Sequence, residues 1–368
     1  MAVKGVNEIS CPACGAAMKF DPSSGKMLCE WCGTTLEIKK EKEDVQTGKA
    51  EAKEEILEGF DFDSLNEQAM DPDAADVPIY NCKSCGAELI APPEQISLTC
   101  PYCGSNVVLT QKVSGKLRPD GIIPFKIDAK SLPDAMKKYY HDKILLPPKF
   151  FSQSTMGKVT GVYVPFWMFS GKITGDLRYS GDKVSSSRQG DYIITETDVY
   201  SIERTVSMDF KNVPVDASGR ISDDLMDSIE PFDMSEEVDF DMRYLAGFTS
   251  DRFDEAKDTI AARAKKRMFS TAEDAVRSRV SAGYSAVHKN GGHLNADVTA
   301  RYLLLPVYKF KIKYDSKKYE FAVNGQTGKI MGKLPIDNNV CIRYFMIRAL
   351  AVLAPIVGIF AALYLTGR

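Results

Sequence analysis

The sequence predicts a mixed α+β fold, and three features carry that expectation. Eight of its nine cysteines fall into two copies of one spacing. Two later blocks each pair an amphipathic helical stretch with strands rich in β-branched and aromatic residues. Residues 349–367, ALAVLAPIVGIFAALYLTG, carry no charge. At 368 residues the chain holds two or three modest domains beside that apolar run. The expected order is a zinc ribbon over 1–40, an acidic flexible tether over 41–78 and a second ribbon over 79–112. Two related α+β halves with antiparallel strands follow over 113–215 and 216–338, then a transmembrane helix over 344–367.

The cysteines come first. Cys11-Pro-Ala-Cys14 is followed after fourteen residues by Cys29-Glu-Trp-Cys32, and Cys82-Lys-Ser-Cys85 after fourteen by Cys100-Pro-Tyr-Cys103. The offset is 71 at all four positions, and Gly15, Trp31 and Gly33 match Gly86, Tyr102 and Gly104. Two thiolates two residues apart hold one metal from a tight turn, and the glycine after them supplies the backbone angles that turn needs. Four thiolates suit tetrahedral Zn²⁺, so two zinc ions are expected. A thioredoxin-type pair needs a βαβ setting, which neither unit shows, and paired knuckles on a short hairpin fit zinc better than an iron–sulfur cluster. With four protein ligands each, both ions are structural and stabilise units too small to fold on a hydrophobic core alone.

Charge weighs against nucleic acid as the ribbons' partner. Residues 1–38 are net −1 (Lys4, Lys19, Lys26 against Glu8, Asp21, Glu30, Glu37), and residues 80–110 are also net −1. A phosphate backbone requires a basic footprint. Trp31 and Tyr102 are therefore expected to cover the ribbons' own small cores rather than stack on bases. Residues 41–76 hold thirteen acidic residues and three lysines, net −10, with few large apolar side chains. Such a segment buries too little surface to offset chain entropy.

In the body, Ser131 is expected to cap a helix whose apolar stripe is Leu132, Ala135, Met136, Tyr139 and Tyr140. Strands are expected at 159–169, 173–179, 191–200 and 202–210. A second helix is expected to start at Ser250, with Phe253, Ala256, Ile260 and Ala264 on one face. After a Gly291-Gly292 loop come strands at 299–312 and 317–323, with a turn at Asn324-Gly325. Val164-Pro-Phe-Trp-Met-Phe169 matches Leu305-Pro-Val-Tyr-Lys-Phe310, which suggests the duplication. Trp167 reads as a core anchor.

No catalytic constellation stands out, so no enzyme activity and no small-molecule substrate are expected. Gly325-Gln-Thr-Gly-Lys329 lacks phosphate-loop spacing, and Ile330 replaces the hydroxyl residue. His288 and His293 read as solvated loop residues, and Arg263, Lys265, Lys266 and Arg267 as a solvated basic helix face, with anionic lipid as the alternative contact. Cys341 reads as a plain apolar residue.

The uncharged run of 19 residues spans roughly 28 Å as a helix, close to the ~30 Å hydrocarbon core of a bilayer. Lys329, Lys333, Arg343 and Arg348 precede it and Arg368 alone follows, which places the N-terminal bulk in the cytoplasm of a single-pass membrane protein. Residues 1–30 contain no apolar core of signal-peptide length, so the cysteines are expected in a reducing compartment.

Cys82-x-x-Cys85-Gly-Ala-Glu-Leu89, Cys100-Pro-Tyr-Cys103-Gly-Ser105, Val164-Pro-Phe-Trp167 and Phe321-Ala-Val-Asn-Gly-Gln-Thr-Gly-Lys329 occur in that order before the apolar run. In this combination the chain resembles bacterial membrane proteins of the YdjG type, which carry labels such as TFIIB-type zinc-ribbon protein or, wrongly, replication-restart helicase. The resemblance covers roughly residues 80–366; Tyr308 stands where the pattern has Trp. It implies a non-enzymatic adaptor that holds a soluble protein, of the phage-shock or flotillin-like (SPFH) type, at a stressed membrane. A membrane-tethered nucleic-acid-binding protein is the alternative.

Overall fold

Three strands of unusual length organise the body. In this computed structural model, residues 6–7, 10–38, 55–56, 79–81, 88–90, 95–99, 106–109 and 118–365 are described, apart from 142, 148, 151–154, 220–221, 252 and 254–256. The fold is mixed α+β. The short N-terminal strands are β1 (Val6–Asn7), β2 (Lys19–Asp21), β3 (Lys26–Leu28), β4 (Thr35–Leu36), β5 (Glu55–Ile56), β6 (Ile79–Asn81), β7 (Glu88–Ile90), β8 (Gln95–Thr99) and β9 (Asn106–Leu109). The body adds β10 (Gly121–Ile122), α1 (Leu132–His141), β11 (Thr155–Met156), β12 (Thr160–Gln189), β13 (Tyr192–Asp216) and α2 (Asp223–Ile229). Then come β14 (Val238–Asp239), β15 (Thr249–Asp251), α3 (Lys257–Ser281), β16 (Ala286–Tyr314), β17 (Lys317–Asn324), β18 (Ile330–Gly332) and α4 (Asn338–Leu365).

The central strand β12 pairs antiparallel with β13 on one edge and with β16 on the other. Its 30 residues extend on the order of 90 Å, several times an ordinary strand. The four separate strands expected over 159–210 are thus one hairpin, turning at Gly190 (φ 62°) and Asp191. The glycines that read as breaks are places where backbones approach closely. A Cβ on Gly171 would lie 2.2 Å from the Asp297 carbonyl, and one on Gly292 2.3 Å from that of Asp176. Likewise Gly291-Gly292 is no loop: β16 runs through it with a register shift opposite Arg178, and His288 and His293 are exposed on that strand.

Both faces of the blade's proximal part are covered, which is why 162–169 reads as one apolar run. Val162, Val164, Phe166 and Met168 pack with Met226, Ile229 and Phe232 of the α2 region. On the other face, Tyr163, Phe169, Ile173 and Leu177 share a core with Ile260, Ala264, Met268 and Ala272 of α3, four residues apart along one helix stripe. Trp167 belongs to this core, as expected. A 3₁₀ turn at Ala129–Ser131 precedes α1, and its cap is Asp128, which accepts from the Lys130 amide, rather than Ser131. Ser250 lies in β15 and so does not start the second helix, whose described span, Lys257–Ser281, is unbroken.

The expected basic face of α3 divides in two. Arg263 donates to the fully buried Asp216 at 2.5 Å and pairs with Asp223 at 3.2 Å. One turn on, Arg267 pairs with Glu230 at 2.6 Å and Asp227 at 3.2 Å. Only Lys265 and Lys266 of the four are exposed. The arginines therefore clamp α3 to the end of β13 and to α2.

Helix α4 is long and apolar enough to cross a membrane, and the span Asn338–Ile359 makes no buried contact with the body. Asp337 caps it, its Oδ1 accepting from the amides of Asn339 (2.8 Å) and Val340 (3.3 Å). The expected tether over 41–78 lies outside the described residues except at β5, where Glu55 and Ile56 pair with Ala300 and Thr299.

Replacing Arg263 with Ala leaves Asp216 buried without its cation and is expected to cost about 3 kcal/mol. Urea unfolding of the detergent-solubilised protein reads this; an unchanged midpoint excludes the clamp.

Candidate metal centre

Four side chains converge at the N-terminal module. The Sγ atoms of Cys11, Cys14, Cys29 and Cys32 all lie within 4.8 Å of one another. Cys11 and Cys32 are 3.5 Å apart, and Cys14 and Cys29 3.6 Å. Zinc–sulfur bonds of about 2.3 Å at tetrahedral angles place sulfurs roughly 3.8 Å apart, so the cluster has the dimensions of a Cys₄ zinc site.

The local sequence builds this cluster twice over. After Cys11 the Gly15 amide donates back to the Cys11 carbonyl at 2.8 Å, and the Cys11 amide donates to Ala16 at 2.7 Å. After Cys29 the Gly33 amide donates to the Cys29 carbonyl at 2.9 Å, and the Cys29 amide to Thr34 at 2.9 Å. Gly15 (φ 76°) and Gly33 (φ 75°) both take the left-handed conformation that closes such a turn. Each turn thereby presents one buried cysteine, Cys11 or Cys29, and one exposed, Cys14 or Cys32.

The thiols do not titrate alike. Thr34 Oγ1 lies 3.0 Å from Cys32 Sγ, and this hydrogen bond, with a second from the Thr34 amide, holds the Cys32 thiol down to about 6. The Ala16 amide pulls Cys14 the same way, but the neighbouring Cys32, burial and the other two thiols outweigh it and push Cys14 up to about 12. Four sulfurs at this spacing cannot all carry charge unaided; a divalent cation at their centre removes that repulsion and draws off the protons. Closed by four protein ligands, such a centre leaves no position for water and acts structurally.

The module is docked on the body. The Phe20 amide donates to Ala246 at 2.9 Å, and the Phe20 ring meets Tyr244 edge-on at 5.2 Å. Met18, Phe20 and Met27 join the main hydrophobic core. Trp31, expected to cover the module's own core, instead stands 86 % exposed between two ligands. Neither Thr34 nor the 244–247 docking surface was identified from the sequence. A threonine two residues after the last cysteine is a weak signal, and the docking surface carries none.

The second set, Cys82, Cys85, Cys100 and Cys103, lies outside the described residues. The strands around it are described. The hairpin of β8 and β9 continues the main sheet through β15, with Ser97 opposite Ser250 and its Oγ donating to the Phe248 carbonyl at 2.9 Å. At its outer edge β1 pairs with β9.

The chain is 34 % identical over 336 residues to the uncharacterised protein YdjG of Bacillus subtilis (strain 168), covering 91 % of the chain and 92 % of that relative. No family model and no solved structure matches.

Replacing Cys14 with Ser is expected to remove the metal from this site and loosen the module. Elemental analysis reads the loss, and proteolysis within 10–38 reads the loosening. Because protons compete for the thiolates, acidification is expected to release the metal, at a pH below the range in which the metal-free Cys32 thiol titrates. A chromophoric zinc indicator follows the release; zinc retained on full acidification contradicts a thiolate site.

Proposed function

The chain belongs to the YdjG family, and from that premise we propose that it is a membrane-anchored, non-enzymatic scaffold that holds a cytoplasmic protein at the cell membrane. The observation that carries this reading is helix α4, whose span Asn338–Ile359 is uncovered by the body and capped at its root by Asp337. An apolar span of 22 residues, none of it buried among the described residues, has lipid as its natural surroundings. Positive charge at Lys329, Lys333, Arg343 and Arg348, before the uncharged run, favours a cytoplasmic body.

The second zinc site is part of the proposal. Register supports it. Ser10 pairs with Ala17 around the first cysteine pair, and Leu28 with Thr35 around the second. Adding the offset of 71 gives Asn81 with Glu88 and Thr99 with Asn106, and both pairings occur. A structural zinc in each module is the economical reading.

The duplicated body is proposed on similar grounds. At an offset of 141, Val164 corresponds to Leu305, and these two residues pair directly with each other. Ala217 donates to the Pro165 carbonyl at 3.0 Å, and Gly325 to that of Pro306 at 2.8 Å. β15 runs parallel to β12 at Val162 and Tyr163, and β10 parallel to β16 at Leu303 and Leu304, again 141 apart. Buried Leu132, Met136 and Tyr140 of α1 correspond to Ile260, Ala264 and Met268 of α3 at a constant offset of 128.

The partner is proposed to be a protein, with the flotillin-like or phage-shock type favoured by the family resemblance. Exposed Trp31 is its anchor, since a solvent-facing indole on an ordered turn is a common centre of recognition. The same exposure keeps a second reading, base stacking on single-stranded nucleic acid. Charge opposes that reading, because residues 1–38 are net −1 before any metal thiolates are counted.

Elemental analysis of the purified full-length protein is expected to give two zinc ions per chain. Pull-down from solubilised membranes with mass spectrometry is expected to enrich a soluble protein, and Trp31→Ala to lose it. Micromolar retention of DNA or RNA that weakens steeply with salt would reverse the ranking of the two readings.

A further inference from the structure

Large exposed apolar side chains on the described residues fall into four places. Two are on the metal-binding module (Trp31, Leu36), and one group lies near the turn of the β12–β13 hairpin. The third group is α4 itself, and the last is a pair, Ile144 (62 % exposed) and Ile336 (66 %). That pair stands where α4 leaves the body. The Asp337 amide donates to the Leu145 carbonyl at 3.1 Å, so the neighbours of the two isoleucines are bonded to each other. Leu146 is buried and Leu334 packs against the same core, which fixes both segments to the body. Lys143 and Lys333 flank the pair, both exposed, and neither has a carboxylate partner among the described residues. The Lys143 ammonium lies 4.7 Å from the Tyr139 ring centroid.

The position of the span sets the place of this pair. The span begins at Asn338, two residues after Ile336, so the pair stands at the end of the body from which the membrane helix leaves.

We propose that Ile144, Ile336, Lys143 and Lys333 form a foot that seats the body on an anionic lipid surface. The isoleucines enter the headgroup layer and the ammonium groups meet lipid phosphates. This rests on the reading of α4 as a membrane span. The foot lies at one end of the long blade, because the nearby Phe150 ring packs on Tyr314, the last residue of β16, at 5.0 Å. The hairpin turn at Gly190 lies at the other end.

The test uses the full-length protein in nanodiscs of phosphatidylcholine, with or without phosphatidylglycerol, brominated on the upper acyl chain. In a Trp31→Phe background, whose buried Trp167 serves as the common reference signal, one further reporter at a time is placed by Ile144→Trp, Phe345→Trp and Ile193→Trp. Bromination is expected to quench the reporters at 144 and 345 and to spare the one at 193. Quenching at 144 is expected to deepen with phosphatidylglycerol, and to lose that increment when Lys143 and Lys333 are both changed to Glu. Quenching at 345 without quenching at 144 overturns the foot and leaves the membrane helix standing. No quenching at 345 overturns the helix reading and the foot together. Equal quenching at 144 in the two lipids overturns the role of the lysines.

Discussion

The two-sided pairing of β12 is the constraint on which the structure depends. A strand of 30 residues has donors and acceptors along both edges, and each buried one needs a partner. β13 supplies one edge and β16 the other, so residues far apart in the chain are fixed in register: Phe166 faces Asp216 on one side and Leu303 on the other. Because side chains alternate with period two, this register decides which of them meet α2 and which meet α3. A slip of one residue would turn Tyr163 and Leu177 toward the face that Val164 and Phe166 now fill. The clamp from Arg263 to Asp216 depends on the same register, since Asp216 is the last residue of β13.

Some of this was legible in the sequence and some was not, for physical reasons. Residue types reported the strands well, because β-branched and aromatic side chains suit a pleated, buried surface. They did not report strand length. Glycine marks turns, but it also marks close approach of backbones, and Gly171 and Gly292 are of the second kind. No local pattern separates the two uses. Helix starts failed similarly. Ser131 and Ser250 have cap chemistry, yet Asp128 sits ahead of a 3₁₀ turn at one site, and the other serine is held in a parallel pairing with Tyr163. Arg263 and Arg267 looked like solvent-facing charge because their acidic partners lie 36 to 47 residues away.

The cluster of Cys11, Cys14, Cys29 and Cys32 was legible because its information is local. Two cysteine pairs, each followed by glycine, define two turns whose hydrogen bonds close within five residues. Only the distance between the turns depends on the rest of the fold, and the three-stranded sheet of β2, β3 and β4 sets it. Trp31 was misread because aromatic residues in small domains usually cover the core. Here Met18, Phe20 and Met27 fill that place and merge it with the core of the body.

That merging bears on what the module can do. A Cys₄ module held only by its metal would be free to swing on the chain that joins it. This one is held by the Phe20 to Ala246 hydrogen bond, by the Phe20 and Tyr244 rings, and by apolar side chains shared with the body. Trp31 sits in the second turn, between Cys29 and Cys32, so its backbone is fixed before any contact is made. Ordering a contact residue in advance removes part of the entropy cost of association. Loss of the metal would then act on Trp31 first. The strands beneath it keep their core contacts, whereas the turn that carries the indole depends on the sulfurs that flank it.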